Sequence, residues 1–139
     1  MHDDSSSKKK QLRQQLLAAR AALPQRDRAQ FSQRATEILL DSALWRAASR
    51  IGVYLPLKTE LDISQIWAKG SNQGRCFCAP RVLTSGAMTF HEFQSNSDLE
   101  VGMGGIAQPT ENAAEIAVDS IDLFLVPLVG CDKAGNRLG

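Results

Sequence analysis

Residues 121–139, IDLFLVPLVGCDKAGNRLG, decide how the chain folds. Leu123-Phe124-Leu125-Val126 is a wholly apolar run set between Asp122 and Pro127. Such a run suits a central strand buried on both faces. Leu128-Val129 is a second apolar step, and a polar loop from Asp132 to Gly139 follows it, carrying Gly135, Arg137 and Gly139. In open α/β sheets, ligands bind outside the carboxyl ends of the strands. A glycine-bearing loop with an arginine in that place points to an anion, phosphate above all.

Further upstream, Ile51–Leu55 is a second buried strand, closed by Pro56. Asp62 is placed to cap a helix that runs to about Trp67, and Arg75–Pro80 supplies the next strand. Strand, loop, capped helix, strand is the pattern of a βαβ unit in a parallel sheet. Met88–Phe93 alternates apolar and polar residues, which predicts a half-exposed strand near an edge. Residues 94–120 are rich in Gly, Ser, Asn and Asp and read as a long loop with one helical turn near Asn112–Ile116. Before the first strand, Lys8–Leu23 has the spacing of a helix whose buried stripe is Leu12, Leu16, Ala19 and Leu23. Lys9, Arg13 and Arg20 form a basic wedge beside that stripe, able to reach into a cleft. Pro24 breaks this helix and opens a second one, with Phe31, Ala35 and Ile38 as its buried face. Ser42–Arg46 reads as a short turn with Trp45 packed inward.

The bulk properties narrow the function classes. The length of 139 residues fits one domain, 8–139, preceded by a disordered tail over 1–7. The net charge of +1 argues against dedicated nucleic-acid binding. Charge is unevenly spread, however: residues 1–50 hold ten Lys/Arg against five Asp/Glu, and residues 51–139 hold six against ten. The basic part is helical in pattern, which allows a local anion site. No apolar run approaches the ~20 residues of a membrane span. Three cysteines without framework spacing fit a reducing compartment, and the chain is expected to be cytoplasmic.

Other constellations are weak. Cys76 and Cys78 share one face of a strand but lack a second pair for zinc, and read as small buried residues. His91 is a lone strand histidine. Gly102-Met103-Gly104-Gly105 lacks the Lys-Ser/Thr of a phosphate loop and reads as a turn. Glu60, just past a strand's carboxyl end, is able to accept hydrogen bonds from a polar heterocycle or to stand in a solvated loop. No metal-ligand cluster is found in the sequence.

FLVPLVGCDKAGNRLG resembles the signature of the 5-formyltetrahydrofolate cyclo-ligase family, in order and spacing, as far as Gly139. In that family a Gly-rich loop ending Gly-Tyr-Tyr-Asp comes next, so by resemblance the chain is C-terminally incomplete and is expected to be inactive or weakly active by itself. KKQLR resembles the family's N-terminal helix, whose basic residues hold ATP phosphates. The resemblance implies Lys9, Lys10, Gln11, Leu12 and Arg13 as ATP-binding, together with Arg137, Leu138 and Gly139; the Lys8-Lys9-Lys10 run leaves open which lysine takes phosphate. It implies Arg137 as the catalytic residue and Leu55 and Glu60 as the folate-binding residues. Gly105-Ile106-Ala107-Gln108-Pro109 is similar to a segment that walls the family's folate cleft.

The implied fold is a three-layer α/β/α sandwich with a mostly parallel, Rossmann-like sheet, of the sugar-phosphate isomerase and CoA-transferase kind. The implied activity is ATP-dependent cyclisation of 5-formyltetrahydrofolate to 5,10-methenyltetrahydrofolate with release of ADP and phosphate. The formyl oxygen attacks the γ-phosphate, and the ring then closes through N10 as the phosphorylated oxygen leaves. Mg²⁺ is expected with ATP, with its ligands beyond Gly139. Reduced folate and ATP are the expected partners, with no nucleic acid and no membrane. A monomer is expected, with self-association possible where the missing segment leaves the sheet exposed. The alternative is a non-catalytic folate- or nucleotide-binding fragment of the same fold.

Overall fold

A computed structural model describes residues 3–70 and 73–139. Four helices and a mixed sheet make an α/β fold: α1 (Asp3–Ala22), α2 (Gln25–Leu40), α3 (Ala43–Ala47), β1 (Arg50–Gly52), α4 (Gln65–Gly70), β2 (Cys76–Val82), β3 (Met88–Phe93), β4 (Leu99–Val101), β5 (Ala107–Pro109), β6 (Glu115–Ile116), β7 (Leu123–Phe124), β8 (Gly130–Cys131) and β9 (Arg137–Leu138). The main sheet has the order β6-β3-β2-β1-β7. Strands β1, β2 and β7 are parallel, and β3 and β6 run antiparallel to their neighbours. The sheet is therefore mixed where a mostly parallel one was expected. A tight Leu83–Ala87 turn joins β2 to β3 without a crossover helix, and such a connection can only make an antiparallel pair.

Register fixes the faces. Ile51 lies opposite Phe77, and Phe77 opposite Phe93, so all three point to one side. Helices α3 and α4 cover that side. Trp45 packs on Phe77 at 6.2 Å between ring centroids, and Trp67 meets Phe93 edge to face at 5.4 Å. With Val53, Leu55, Ile63 and Ile66 these residues form the core, each worth roughly 1.5–3 kcal/mol when fully buried. Ser42 caps α3 by accepting the Trp45 amide, which anchors the first of these tryptophans. On the opposite face Phe124 leans over Gly52 and meets Phe90 edge to face at 5.6 Å.

Several expectations are corrected. Helix α1 begins at Asp3, within the stretch read as a tail; Asp4 pairs with Lys8 one turn on, and acidic residues suit a helix N-terminus. Its packed side is Arg13, Leu16, Arg20 and Leu23, while Leu12 is 48% exposed and Ala19 is exposed. In α2 the buried positions are Ser32 and Thr36, and Phe31 and Ile38 are exposed. Ser32 is inside because its hydroxyl accepts the Asp62 amide at 2.9 Å. Strand β7 is an edge strand with Phe124 41% exposed, not a central one buried on both faces. Residues 130–138 form a β8–β9 hairpin where a plain loop was expected. Asp132 closes its turn by accepting the Ala134 and Asn136 amides, and Gly135 supplies the positive φ of 84° that the turn requires. The helical turn expected near 112–116 is replaced by β6, whose residue Glu115 pairs with His91. His91 is buried, with its ring nitrogens bonded to Thr89 Oγ1 and the Ala113 carbonyl, a structural arrangement.

Candidate functional site

Two segments leave the sheet side by side at the carboxyl ends of the paired parallel strands β1 and β7. The segment after β1 carries Tyr54, Leu55 and Glu60. Tyr54 donates its hydroxyl to the Leu61 carbonyl at 2.9 Å, which draws the loop back on itself. The turn from Leu57 to Glu60 is closed by the Glu60 amide on the Leu57 carbonyl, and Glu60 Oε2 accepts the Leu57 amide at 2.8 Å. The glutamate is thus fixed by one oxygen, and Oε1 is left to accept from something else. Burial pushes the Tyr54 hydroxyl up to about 12, the nearby Glu60 and Asp62 charges adding to it and Arg20 working against it. Tyr54 therefore stays protonated at neutral pH.

The segment after β7 brings back the hairpin, and α1 lies against it. Leu16 Cδ1 stands 2.7 Å from where a Cβ on Gly130 would sit, so only glycine allows this approach without a shift. One turn earlier, Arg13 Nε donates to the Gly139 carbonyl at 2.5 Å. Arg137 donates through Nε and Nη2 to the Pro127 carbonyl at 3.1 and 3.0 Å, and its Nη2 also lies 2.9 Å from the Cβ position of Gly139. Both guanidinium groups thus lie near Gly139, Arg13 bonded to its carbonyl and Arg137 to that of Pro127.

Of the residues singled out in the sequence, Arg13, Arg137, Leu138 and Gly139 come together here. Lys9, Lys10 and Gln11 are exposed on α1; Lys9 stands one turn before Arg13 on the same side, whereas Lys8 is engaged with Asp4. Leu12 points largely to solvent. Glu60 divides two cavities. One, of about 470 Å³, is lined by Leu55, Lys58, Glu60, Asp62, Trp67, Leu99 and Ala107. The other, of about 350 Å³, includes Arg20, Arg28, Tyr54, Glu60, Val126 and Pro127. Leu55 and Glu60 share the first; the second reaches Pro127, the residue that Arg137 holds. Neither of these cavities is lined by both Leu55 and Gly139.

The β4–β5 hairpin walls the larger cavity with Leu99 and Ala107, the latter from the Gly105–Pro109 segment. Arg81 at the end of β2 pins this hairpin through an ion pair with Glu100 and a 2.9 Å bond to the Pro109 carbonyl. The contact with Arg81 holds the Glu100 carboxyl below the usual range. Sequence reasoning did not assign Tyr54, Asp62 or Trp67 to the site, and gave Arg20 only a place in the basic wedge of α1. That wedge, with Arg20 seven residues and two turns beyond Arg13 on the same helix face, was the signal for it. Among the described residues no group of three His, Cys, Asp or Glu side chains forms a metal cluster. Asp132, the carboxylate nearest in sequence to Arg137, is occupied by its own turn and by Asn136 Nδ2.

Fold and site together define an α/β protein with a mixed sheet whose cationic groups and cavities gather at the carboxyl ends of its parallel strands. Comparison with known proteins makes the class more specific. The profile of the 5-formyltetrahydrofolate cyclo-ligase family matches residues 5–139, and the chain belongs to that family. It is 26% identical over 140 residues to the 5-formyltetrahydrofolate cyclo-ligase of Haemophilus influenzae, covering 97% of this chain and 74% of the relative. It is 26% identical over 141 residues to the Mus musculus cyclo-ligase, covering 96% and 70%. Among solved structures it is similar to the NMR structure of Aquifex aeolicus 5,10-methenyltetrahydrofolate synthetase, with a TM-score of 0.84, 25% identity, and coverage of 94% of this chain and 66% of that one. A 5,10-methenyltetrahydrofolate synthetase from Mycoplasma pneumoniae shares the fold, with a TM-score of 0.71 and 22% identity over 94% and 70% of the two chains. The chain thus spans about two thirds to three quarters of the length of these relatives. No helix among the described residues is long and apolar enough to cross a membrane.

Proposed function

We propose that this chain carries the nucleotide and folate subsites of an ATP-dependent cyclo-ligase that converts 5-formyltetrahydrofolate to 5,10-methenyltetrahydrofolate, releasing ADP and phosphate. One observation carries this: Arg13 and Arg137 meet at Gly139 beside a region whose cavities share Glu60. Phosphoryl transfer to the formyl oxygen asks a protein mainly for positioning and charge neutralisation. Arg13 and Arg137 supply fixed charge and forked donors for phosphate oxygens, Arg137 nearest the transferred group. Lys9 or Lys10 adds charge one turn away, and Gln11, Leu12 and Leu138 flank the nucleotide. Glu60 Oε1 accepts N–H groups of the pterin, and Leu55 gives the ring an apolar wall. Tyr54 is no base, since its proton is held to about 12 and is given to the Leu61 carbonyl. Mg²⁺ would accompany ATP. The protein acts in the cytoplasm as a single-domain monomer.

The test follows the absorbance of the methenyl product for this chain and, in parallel, for a form extended to the length of its relatives. Product formation that needs both 5-formyltetrahydrofolate and ATP, and that Arg13→Ala removes, is expected of the extended form. Product without ATP, or both ligands bound with no turnover in the extended form, would overturn the proposal; the second result favours a non-catalytic binding protein.

A further inference from the structure

Helix α1 contributes two arginines to its packed side. Arg13 is accounted for at Gly139. Arg20 lies seven residues on, about 10 Å along the axis at 1.5 Å per residue, and is half-buried. Its Nε is buried and has no hydrogen-bond partner among the described residues. Nor does Arg20 form an ion pair with Glu60, although both line the 350 Å³ cavity. A charged donor left in this condition is costly, and proteins rarely keep one without use for it.

The surroundings indicate what would answer it. Arg28 lines the same cavity, so two cations face one carboxylate, and one oxygen of that carboxylate is already bonded to the Leu57 amide. The remaining walls include Phe31, Val126 and Leu128, which keep the local dielectric low and strengthen any charge pairing. The cavity also touches Pro127, the residue whose carbonyl holds Arg137. It therefore opens from the side assigned to nucleotide towards the side assigned to folate.

We infer that Arg20 is a binding residue for a small oxyanion in this cavity, taking a phosphate or carboxylate oxygen through Nε and a neighbouring Nη. This rests on the cyclo-ligase proposal only for the source of the anion, which would be the transferred phosphoryl group or a carboxylate of the folate. Arg28 adds charge at the rim.

The molecule carries its own reporter. Tyr54 is the single tyrosine in the sequence and lines the same cavity, so its ring resonances are unambiguous in an NMR titration. Two probes separate the sources: inorganic phosphate, and p-aminobenzoylglutamate as the carboxylate end of a folate. At least one is expected to shift the Tyr54 ring saturably. Arg20→Ala should weaken that binding about tenfold or more, as for loss of a charged hydrogen bond. Arg20→Lys should recover part of it, because charge is kept and the fork is lost. If the alanine variant unfolds, the comparison of Arg20→Lys with wild type still decides the matter, since a lysine there binds measurably more weakly if the fork matters. The inference is overturned if neither probe moves Tyr54 in the wild type, or if folded Arg20 variants bind as tightly as the wild type. No turnover is needed, so failure of the cyclo-ligase assay and failure of this inference are separate results.

Discussion

Docking of α1 on the β8–β9 hairpin is tested by Gly130→Ala, alone and with Leu16→Ala. A Cβ at position 130 would stand 2.7 Å from Leu16 Cδ1, against an ordinary contact of 3.4–4 Å. The overlap is about 1 Å, and the atom struck is the far end of a side chain that can turn. Overpacking by one methyl costs about 1–3 kcal/mol, and the mobility of Leu16 puts Gly130→Ala at the low end, about 1 kcal/mol. In a chain of this size that is a fall of about 4 °C in Tm. Shortening Leu16 removes the obstacle. Gly130→Ala should then cost almost nothing in the Leu16→Ala background, and the double-mutant cycle should show a coupling of about 1 kcal/mol. Chemical denaturation of the four proteins gives the cycle, and titration calorimetry with ATP shows whether displacing α1 also loosens the Arg13–Gly139 approach. Equal costs for Gly130→Ala in both backgrounds would show that Leu16 and Gly130 are not in contact, and the placement of Arg13 beside Gly139 would fall with it.

Arg13→Ala should weaken ATP binding about ten- to a hundredfold, as for a charged hydrogen bond of ~1.5–3 kcal/mol, and leave folate binding unchanged; calorimetry with each ligand separates the two. Glu60→Gln should do the reverse, reducing affinity for 5-formyltetrahydrofolate about tenfold or more by turning an ionic acceptor into a neutral one; unchanged folate affinity would remove Glu60 from the pocket. Spectrophotometric titration of Tyr54 should give a midpoint of about 12 in the folded protein and near the ordinary 10 in denaturant. Because the folded value is the higher one, the folded state keeps its proton longer, so this group's contribution to stability is complete below about pH 10 and is lost as pH rises towards 12. A native midpoint near 10 would show that the ring is not enclosed as described.

Much of the sheet was legible in the sequence. Ile51, Phe77 and Phe93 belong to strands that apolar runs and period-two alternation marked out, and Trp45 is inside as expected. Helix faces were harder to read. On α1 the pattern of leucines favoured Leu12 and Ala19, but the helix packs through Arg13 and Arg20, whose long stems bury while their heads stay polar. On α2, Ser32 and Thr36 displaced Phe31 from the interior because Ser32 satisfies a backbone donor that an aromatic ring cannot. Strand β7 looked central because hydrophobicity alone does not say how many neighbours a strand has. The grouping of Arg13, Arg137 and Gly139 was legible only through a family resemblance, since their contacts span most of the chain and leave no local pattern.

That span has a kinetic side. The bond from Arg13 to Gly139 joins residues 126 positions apart. A ribosome therefore releases α1 long before the hairpin it rests on exists. The β2–β3 pair, joined by a short turn, can form while the chain is still emerging, because closing a short loop costs little entropy. Helix α1, at 20 residues, has to wait with Leu16 unpaired until β8 and β9 arrive. The nascent chain passes through a stage in which the β2–β3 pair can already be formed while α1 is still loose, and the Arg13–Gly139 contact waits for the hairpin.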